Sequence, residues 1–202
     1  MPAQPQLDTP TTPEEYLAFE RQSTEKHEFV DGIIYAYGDS HADDETYAMS
    51  GASQKHNIIA GNLFGELWTS FKKRDCSVYM SDMRVKVSET DYVYPDVVAV
   101  CADVELDDNK FDILLNPSVI IEVLSKSTKT YDKDKKMALY QNLPTVQDYV
   151  LVAQDQYRIE HYQRRSQNQW LLTVLTEPEQ ILILQSVDTQ ISVQDVYDKV
   201  SF

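Results

Sequence analysis

Val119-Ile120-Ile121-Glu122-Val123-Leu124 is the stretch on which the fold turns. Its apolar residues run on without the alternation of a half-exposed strand, so it reads as a strand covered on both faces. One residue does not belong there. A carboxylate in the middle of such a strand costs several kcal/mol unless a partner meets its charge, and a metal cation is one such partner. A second acid stands in similar company: Asp96 heads the apolar run of Tyr94-Pro95-Asp96-Val97-Val98-Ala99-Val100. Pro95 cannot donate a ladder hydrogen bond, so it marks a strand start or a bulge, where side chains are re-aimed. Asp96 and Glu122 on neighbouring buried strands would form an oxygen-rich site suited to Mg2+ or Mn2+. The competing reading makes Asp96 a turn cap and pairs Glu122 with an internal lysine or arginine.

Outward from these strands, the chain alternates helix-like and strand-like segments. Thr12-Pro13-Glu14-Glu15 has the pattern of a capped helix start. Glu28 to Tyr35 reads as a hairpin about an Asp31-Gly32 turn. Residues 38–46 are polar and acidic, as in a protruding loop. Ile58, Ile59, Leu63, Leu67 and Phe71, with Phe64 and Trp68 beside them, recur at helical spacing and predict a helix over about 53–72. Strands are predicted over 77–80, 83–87, 96–101, 119–124, 148–153, 158–163, 170–175 and 181–184. A second helix is predicted over about 131–142, ending before Pro144, and a short one over 192–199. The expectation is an α/β (α+β) domain: one central mixed sheet flanked by helices.

The chain has 202 residues, which suits one domain at 11–202 preceded by a flexible tail at 1–10. No apolar run approaches the roughly 20 residues of a membrane helix, and the first residues lack the pattern of a secretion signal. A cytoplasmic protein without membrane contact is the expectation. Cys76 and Cys101 fall in strand-like segments without metal-ligand spacing and are expected to be buried free thiols. The formal net charge of −15 excludes any general attraction to nucleic acid. One local exception exists. Lys126, Lys129, Lys133, Lys135 and Lys136, against only Asp132 and Asp134, place five of the twelve lysines in eleven residues. That segment is either a solvated helix face or a basic patch.

The sequence around Pro95-Asp96 and Glu122-Val123-Leu124 resembles the PD-(D/E)XK nuclease pattern. More narrowly it resembles the Uma-type restriction endonuclease family. The matching pieces are Thr12-Pro13-Glu14-Glu15-Tyr16, Glu28-Phe29-Val30-Asp31-Gly32, Gln54-Lys55-His56-Asn57, Ser81-Asp82-Met83-Arg84, Tyr94-Pro95-Asp96-Val97 and Ile121-Glu122-Val123-Leu124-Ser125. Ser127-Thr128, Asp132, Lys136 and Tyr140 follow in the family's order. The resemblance implies a restriction endonuclease-like core and Mg2+-dependent phosphodiester hydrolysis; for DNA as substrate a homodimer is expected, because cutting both strands needs two active sites. It implies Asp96 and Glu122 as metal ligands, Glu28 as an additional acidic ligand, and a catalytic lysine.

That lysine is displaced. The superfamily pattern places it two residues after the glutamate, where this chain has Leu124; the resemblance points instead to Lys136. Asp132, Lys136 and Tyr140 are spaced i, i+4, i+8 and form one helical stripe. On spacing alone, Asp132 and Lys136 read equally as a surface pair. His56, at the start of the long helix, is a candidate for phosphate binding or proton transfer, or else a local hydrogen-bonding residue. Asp82 reads as a turn or pairing residue. Two functions follow: a metal-dependent DNA endonuclease, or a nuclease-fold module that binds nucleic acid or protein without cutting.

Overall fold

The structure is a computed structural model and describes residues 12–37, 52–107, 112–125 and 129–202. The expected tail at 1–10 and acidic loop at 38–46 lie outside the described residues. Helix α1 (Pro13–Glu20) begins with a reciprocal cap. The Glu15 N–H donates to Thr12 Oγ1 (3.2 Å), and the Thr12 N–H donates to Glu15 Oε2 (3.0 Å). Tyr16 leaves this helix to stack on Phe29 at 5.0 Å. Strands β1 (His27–Val30) and β2 (Ile33–Ala36) pair antiparallel about Asp31 (φ 54°) and Gly32 (φ 79°). Both turn residues have positive φ, as the two-residue Asp-Gly turn requires.

Helix α2 (Gln54–Phe71) is capped by Ser53, whose Oγ accepts from the His56 N–H. After it come β3 (Ser77–Met80), β4 (Arg84–Lys86), β5 (Tyr92–Val93), β6 (Val97–Val100), β7 (Ile113–Leu114) and β8 (Val119–Leu124). Helix α3 (Lys129–Tyr131), a π-helical turn at Asp132–Lys136 and helix α4 (Met137–Asn142) then run continuously. Strands β9 (Asp148–Ala153), β10 (Ile159–Ser166), β11 (Gln169–Leu175), β12 (Ile181–Leu184) and β13 (Thr189–Ser192) lead into α5 (Val193–Val196).

Among the described residues the strands form two large mixed sheets and a hairpin, where the sequence suggested one sheet. The six-stranded sheet has the order β11-β10-β9-β8-β6-β3; the five-stranded sheet has the order β2-β1-β5-β4-β7; β12 pairs with β13. Pro95 explains the division. β5 pairs in the five-stranded sheet and β6 in the six-stranded one, so the chain changes sheets at Tyr94-Pro95-Asp96, where proline interrupts the ladder. β5 and β7 have two residues each, too short to carry a periodic signal.

β8 and β9 are parallel, so the chain must cross over between them, and the α3–α4 segment makes that crossover. Every residue of β8 is buried. Ile121 and Val123 pack with Ile59, Leu63 and Leu67 of α2 on one face; Ile120 and Leu124 pack with Met137, Tyr140 and Tyr149 on the other. Each such aliphatic side chain contributes about 1.5–3 kcal/mol. Trp68, grouped with the apolar stripe in the sequence, is 55% exposed.

The cysteines depart from expectation. Cys76 and Cys101 form a disulfide rather than two free thiols. The β3–β6 register pairs Ser77 with Val100, and one step further brings the two cysteines directly opposite. Disulfides persist in oxidising compartments, so this bond and the expected cytoplasmic setting pull in opposite directions.

Candidate active site

Continuing the register from the Val97–Ile121 pair, Asp96 comes opposite Glu122 at the end of the six-stranded sheet, beside the Pro95 seam. The two acids are 6% and 3% exposed. Asp96 Oδ2 accepts from the Val123 N–H (2.8 Å) and lies 3.1 Å from His56 Nε2. Its Oδ1 accepts from the Tyr37 hydroxyl at 3.0 Å. Thus α2, covering one face of the sheet, delivers His56 over the sheet end.

The crossover delivers the rest from the other face. Its π turn buries Asp132 and Lys136 together, and single π turns of this kind are frequent at functional sites. Lys136 Nζ lies 3.0 Å from Glu122 Oε1, 3.0 Å from Glu28 Oε1 and 3.7 Å from Asp132 Oδ1. Tyr140 donates to Glu122 Oε1 (2.9 Å) and Tyr131 to Glu28 Oε2 (3.1 Å). The Tyr94 N–H donates to Glu28 Oε1 at 3.0 Å, which ties the five-stranded sheet to the site. Leu124 cannot supply an ammonium; its side chain sits in the apolar cluster under α4.

Four carboxylates therefore crowd one ammonium in a dry setting. Burial pushes the Glu122 carboxyl well above the usual range; Lys136 acts against this, and Asp132, Asp96 and Glu28 add to it. Burial opposes the charge on Lys136, yet Glu122 and Glu28 more than offset it and hold the ammonium well above its ordinary pKa. Asp96 is held below its ordinary value: burial works against the carboxylate, but the hydrogen bond and charge of His56 outweigh it. His56 is correspondingly raised, with Asp96 overcoming the cost of burial.

Among the described residues, no group of three His, Cys, Asp or Glu side chains stands in metal-binding geometry. The donor chemistry nevertheless fits a hard divalent ion. Among the described residues, Glu122 Oε2 receives only a 3.4 Å contact from the Asp96 N–H, and Asp96 Oδ1 only the Tyr37 hydroxyl. These two oxygens retain accepting capacity. Mg2+ characteristically takes one or two carboxylates and completes its shell with water and phosphate oxygens.

The structure thus gathers Glu28, His56, Asp96, Glu122 and Lys136, drawn from five segments, into one cluster. Asp82 stays outside, exposed and ion-paired with Lys26 at 3.0 Å. Tyr37 and Tyr131 are members that the sequence did not reveal. Tyr131 lies five residues before Lys136, and its ring comes 5.5 Å from the ammonium; helical spacing of three or four does not group the two. Nothing in the sequence near Tyr37 marks it.

A family model, "Uma2: Putative restriction endonuclease", matches residues 13–194. The Synechocystis protein named "Uncharacterized protein sll1609" is 39% identical over 165 residues, covering 81% of this chain and 86% of that protein. A second Synechocystis protein, "Uncharacterized protein slr1290", is 31% identical over 192 residues, covering 95% of this chain and 93% of its own. The crystal structure of "a putative nuclease belonging to DUF820" from Anabaena variabilis superposes with a TM-score of 0.72, covering 95% of this chain and 100% of that one. At 17% identity that likeness shows a shared fold. The match along residues 13–194 places this chain in the Uma2 family of restriction endonuclease-like proteins.

Proposed function

We propose that the protein is a Mg2+- or Mn2+-dependent DNA endonuclease that works as a homodimer, one site acting on each strand. The observation that carries this reading is the burial together of four acids, Asp96, Glu122, Glu28 and Asp132, of which the last three meet Lys136 among the described residues. Such burial is costly unless a cation joins it. Asp96 and Glu122 hold the ion, and Glu28 is the third acid of the set, fixing Lys136 beside them. A bound divalent ion supplies Lewis-acid polarisation of the scissile phosphate and lowers the pKa of a water. Lys136 orients the attacking water and offsets charge on the phosphate. His56, whose pKa Asp96 raises against the cost of burial, donates a hydrogen bond to a phosphate oxygen or a proton to the leaving group. A DNA substrate argues for the cytoplasm, whereas the Cys76–Cys101 disulfide argues for an oxidising compartment.

One observation favours a second reading, a binding module that does not cut. Lys136 already neutralises Glu122 and Glu28 at 3.0 Å without another cation. Plasmid cleavage in Mg2+ or Mn2+ by wild type and Glu122→Ala separates the two. Cutting that only the variant loses supports the enzyme. Equal cutting by both indicates contamination, and none by either favours the module. Mn2+ at about 100 times its Kd should stabilise wild type by about 2.7 kcal/mol, and should leave the melting temperature of Asp96→Ala unmoved.

A further inference from the structure

The lysine-rich segment that stood out in the sequence is only partly absorbed by the site above. Lys136 is buried in the acidic cluster, and Lys135 pairs with Asp31 at 3.1 Å. Lys129 and Lys133 instead line a cavity of about 280 Å3, together with Leu124, Leu151, Ala153, Gln156, Arg158 and Glu160. Three cations face one carboxylate there. Glu160 is itself 5% exposed and fixes two of them: Lys133 Nζ lies 2.7 Å from its Oε1, and Arg158 Nε 2.9 Å. No side-chain partner of Lys129 is found among the described residues.

The register places this cavity beside the acidic pair. Asp96 stands opposite Glu122, Glu122 opposite Leu151, and Leu151 opposite Glu160, so the four form one row across β6, β8, β9 and β10. Glu122, Leu124, Leu151 and Glu160 share the sheet face under the crossover, by the alternation of their strands. Two strand spacings, about 10 Å, separate Glu122 from Glu160. That lies within a few nucleotides along a DNA strand. In a chain of net charge −15, a net-positive cavity at this distance from the acidic pair is where a polyanion can be held.

We propose that Lys129, Lys133 and Arg158 form a subsite for a backbone phosphate of the DNA strand lying in the active site, a few nucleotides from the scissile bond. The subsite rests on the nuclease reading. It supplies the local attraction that the overall charge denies, with Glu160 keeping Lys133 and Arg158 in place. Lys129 and Arg158 are positioning residues, remote from the reacting atoms.

The test is equilibrium binding of a short, end-labelled DNA duplex in Ca2+, over a series of KCl concentrations. Wild type is compared with Lys129→Ala, Arg158→Ala and the control Lys72→Ala, at the opposite end of α2. Lys129→Ala and Arg158→Ala should each weaken binding by about threefold or more and make the salt slope shallower by about 1. In cleavage, each should raise KM and leave kcat within a factor of about two. Lys129 is exposed, so its removal leaves the fold intact even if Arg158→Ala loosens Glu160. Unchanged affinity and slope in Lys129→Ala would overturn the subsite, as would an equal loss in Lys72→Ala. Glu122-dependent plasmid cleavage alongside either result would leave the nuclease reading standing. A wild type that neither binds duplex nor cuts plasmid sinks both.

Discussion

The six-stranded sheet carries a buried Asp–His pair at two places, and they behave differently. Asp148, fully buried, lies 2.6 Å from His161 Nε2 and accepts from the Ser186 hydroxyl on its other oxygen. Asp148 shares a strand face with Val150 and Val152 of the core under α2, whereas Glu122 and Leu124 face the crossover. Asp96, 3.1 Å from His56, shares its surroundings with Glu122, Glu28 and Asp132. Each oxygen of Asp148 has its donor, and one histidine with one hydroxyl completes the group. Among the described residues, the cluster around Asp96 has more carboxylates than cations. A closed arrangement is what core stability selects, whereas an excess of one charge in a dry site is tolerated where chemistry uses it.

The largest expected effect comes from removing the lysine that three of the buried acids share. Lys136→Met leaves Glu28, Glu122 and Asp132 buried without their shared ammonium, and should cost about 3–5 kcal/mol in urea denaturation at neutral pH. Cleavage should disappear with it. A stability loss under about 1 kcal/mol would mean that the acids relieve their repulsion by sharing protons, and Lys136 would lose its place as their counter-ion.

Asp148→Asn should break the closed pair in the opposite sense. An amide keeps one acceptor oxygen and sets an NH2 donor where the second carboxylate oxygen stood, so the buried contact to His161 or to Ser186 must be rebuilt with altered donor and acceptor roles, at a cost of about 2 kcal/mol. Cleavage measured well below the melting temperature should keep its kcat. A variant that melts like wild type but cuts poorly would erase the contrast and make this pair a second functional centre.

How much of that contrast could be read beforehand follows from the range over which each signal acts. Glu122 and Asp96 were legible because a carboxylate inside an apolar strand is anomalous within six residues. Lys136 was legible only through its stripe with Asp132 and Tyr140 and through family resemblance, since its approach depends on a π turn that ordinary helical spacing does not foretell. The same turn hid Tyr131. Asp148 and His161 were invisible as a pair, because strand pairing brings them together across thirteen positions, with Asp148 at the start of β9 and His161 inside β10. The division into two sheets was equally hidden: Pro95 signalled an interruption, but a two-residue β5 gives no pattern by which to assign it to a different sheet. The disulfide failed to emerge for the same reason, since it requires the β3–β6 register.

Asp112 offers the gentlest test, because its charge is neither closed off like Asp148 nor crowded like Glu122. Arg21 holds it by two hydrogen bonds, Nε to Oδ2 at 2.9 Å and a terminal nitrogen to Oδ1 at 3.0 Å, with Arg84 3.6 Å away. The Arg21 hydrogen bond is the main cause that lowers the Asp112 carboxyl below its ordinary value of 3.8, against a smaller opposing effect of burial. The unfolded chain thus binds a proton at a higher pH than the folded one does. Stability from this pair is therefore fully present above the unfolded value and is lost as pH falls through the folded one. Asp112→Asn should cost about 1 kcal/mol at pH 7, and the difference from wild type should shrink below about pH 4. The pair is one-third exposed on the Asp112 side, so added salt should also narrow the gap. A gap that persists undiminished into acid would show that Asp112 acts through shape rather than charge, and would place it with Asp148 among the core groups.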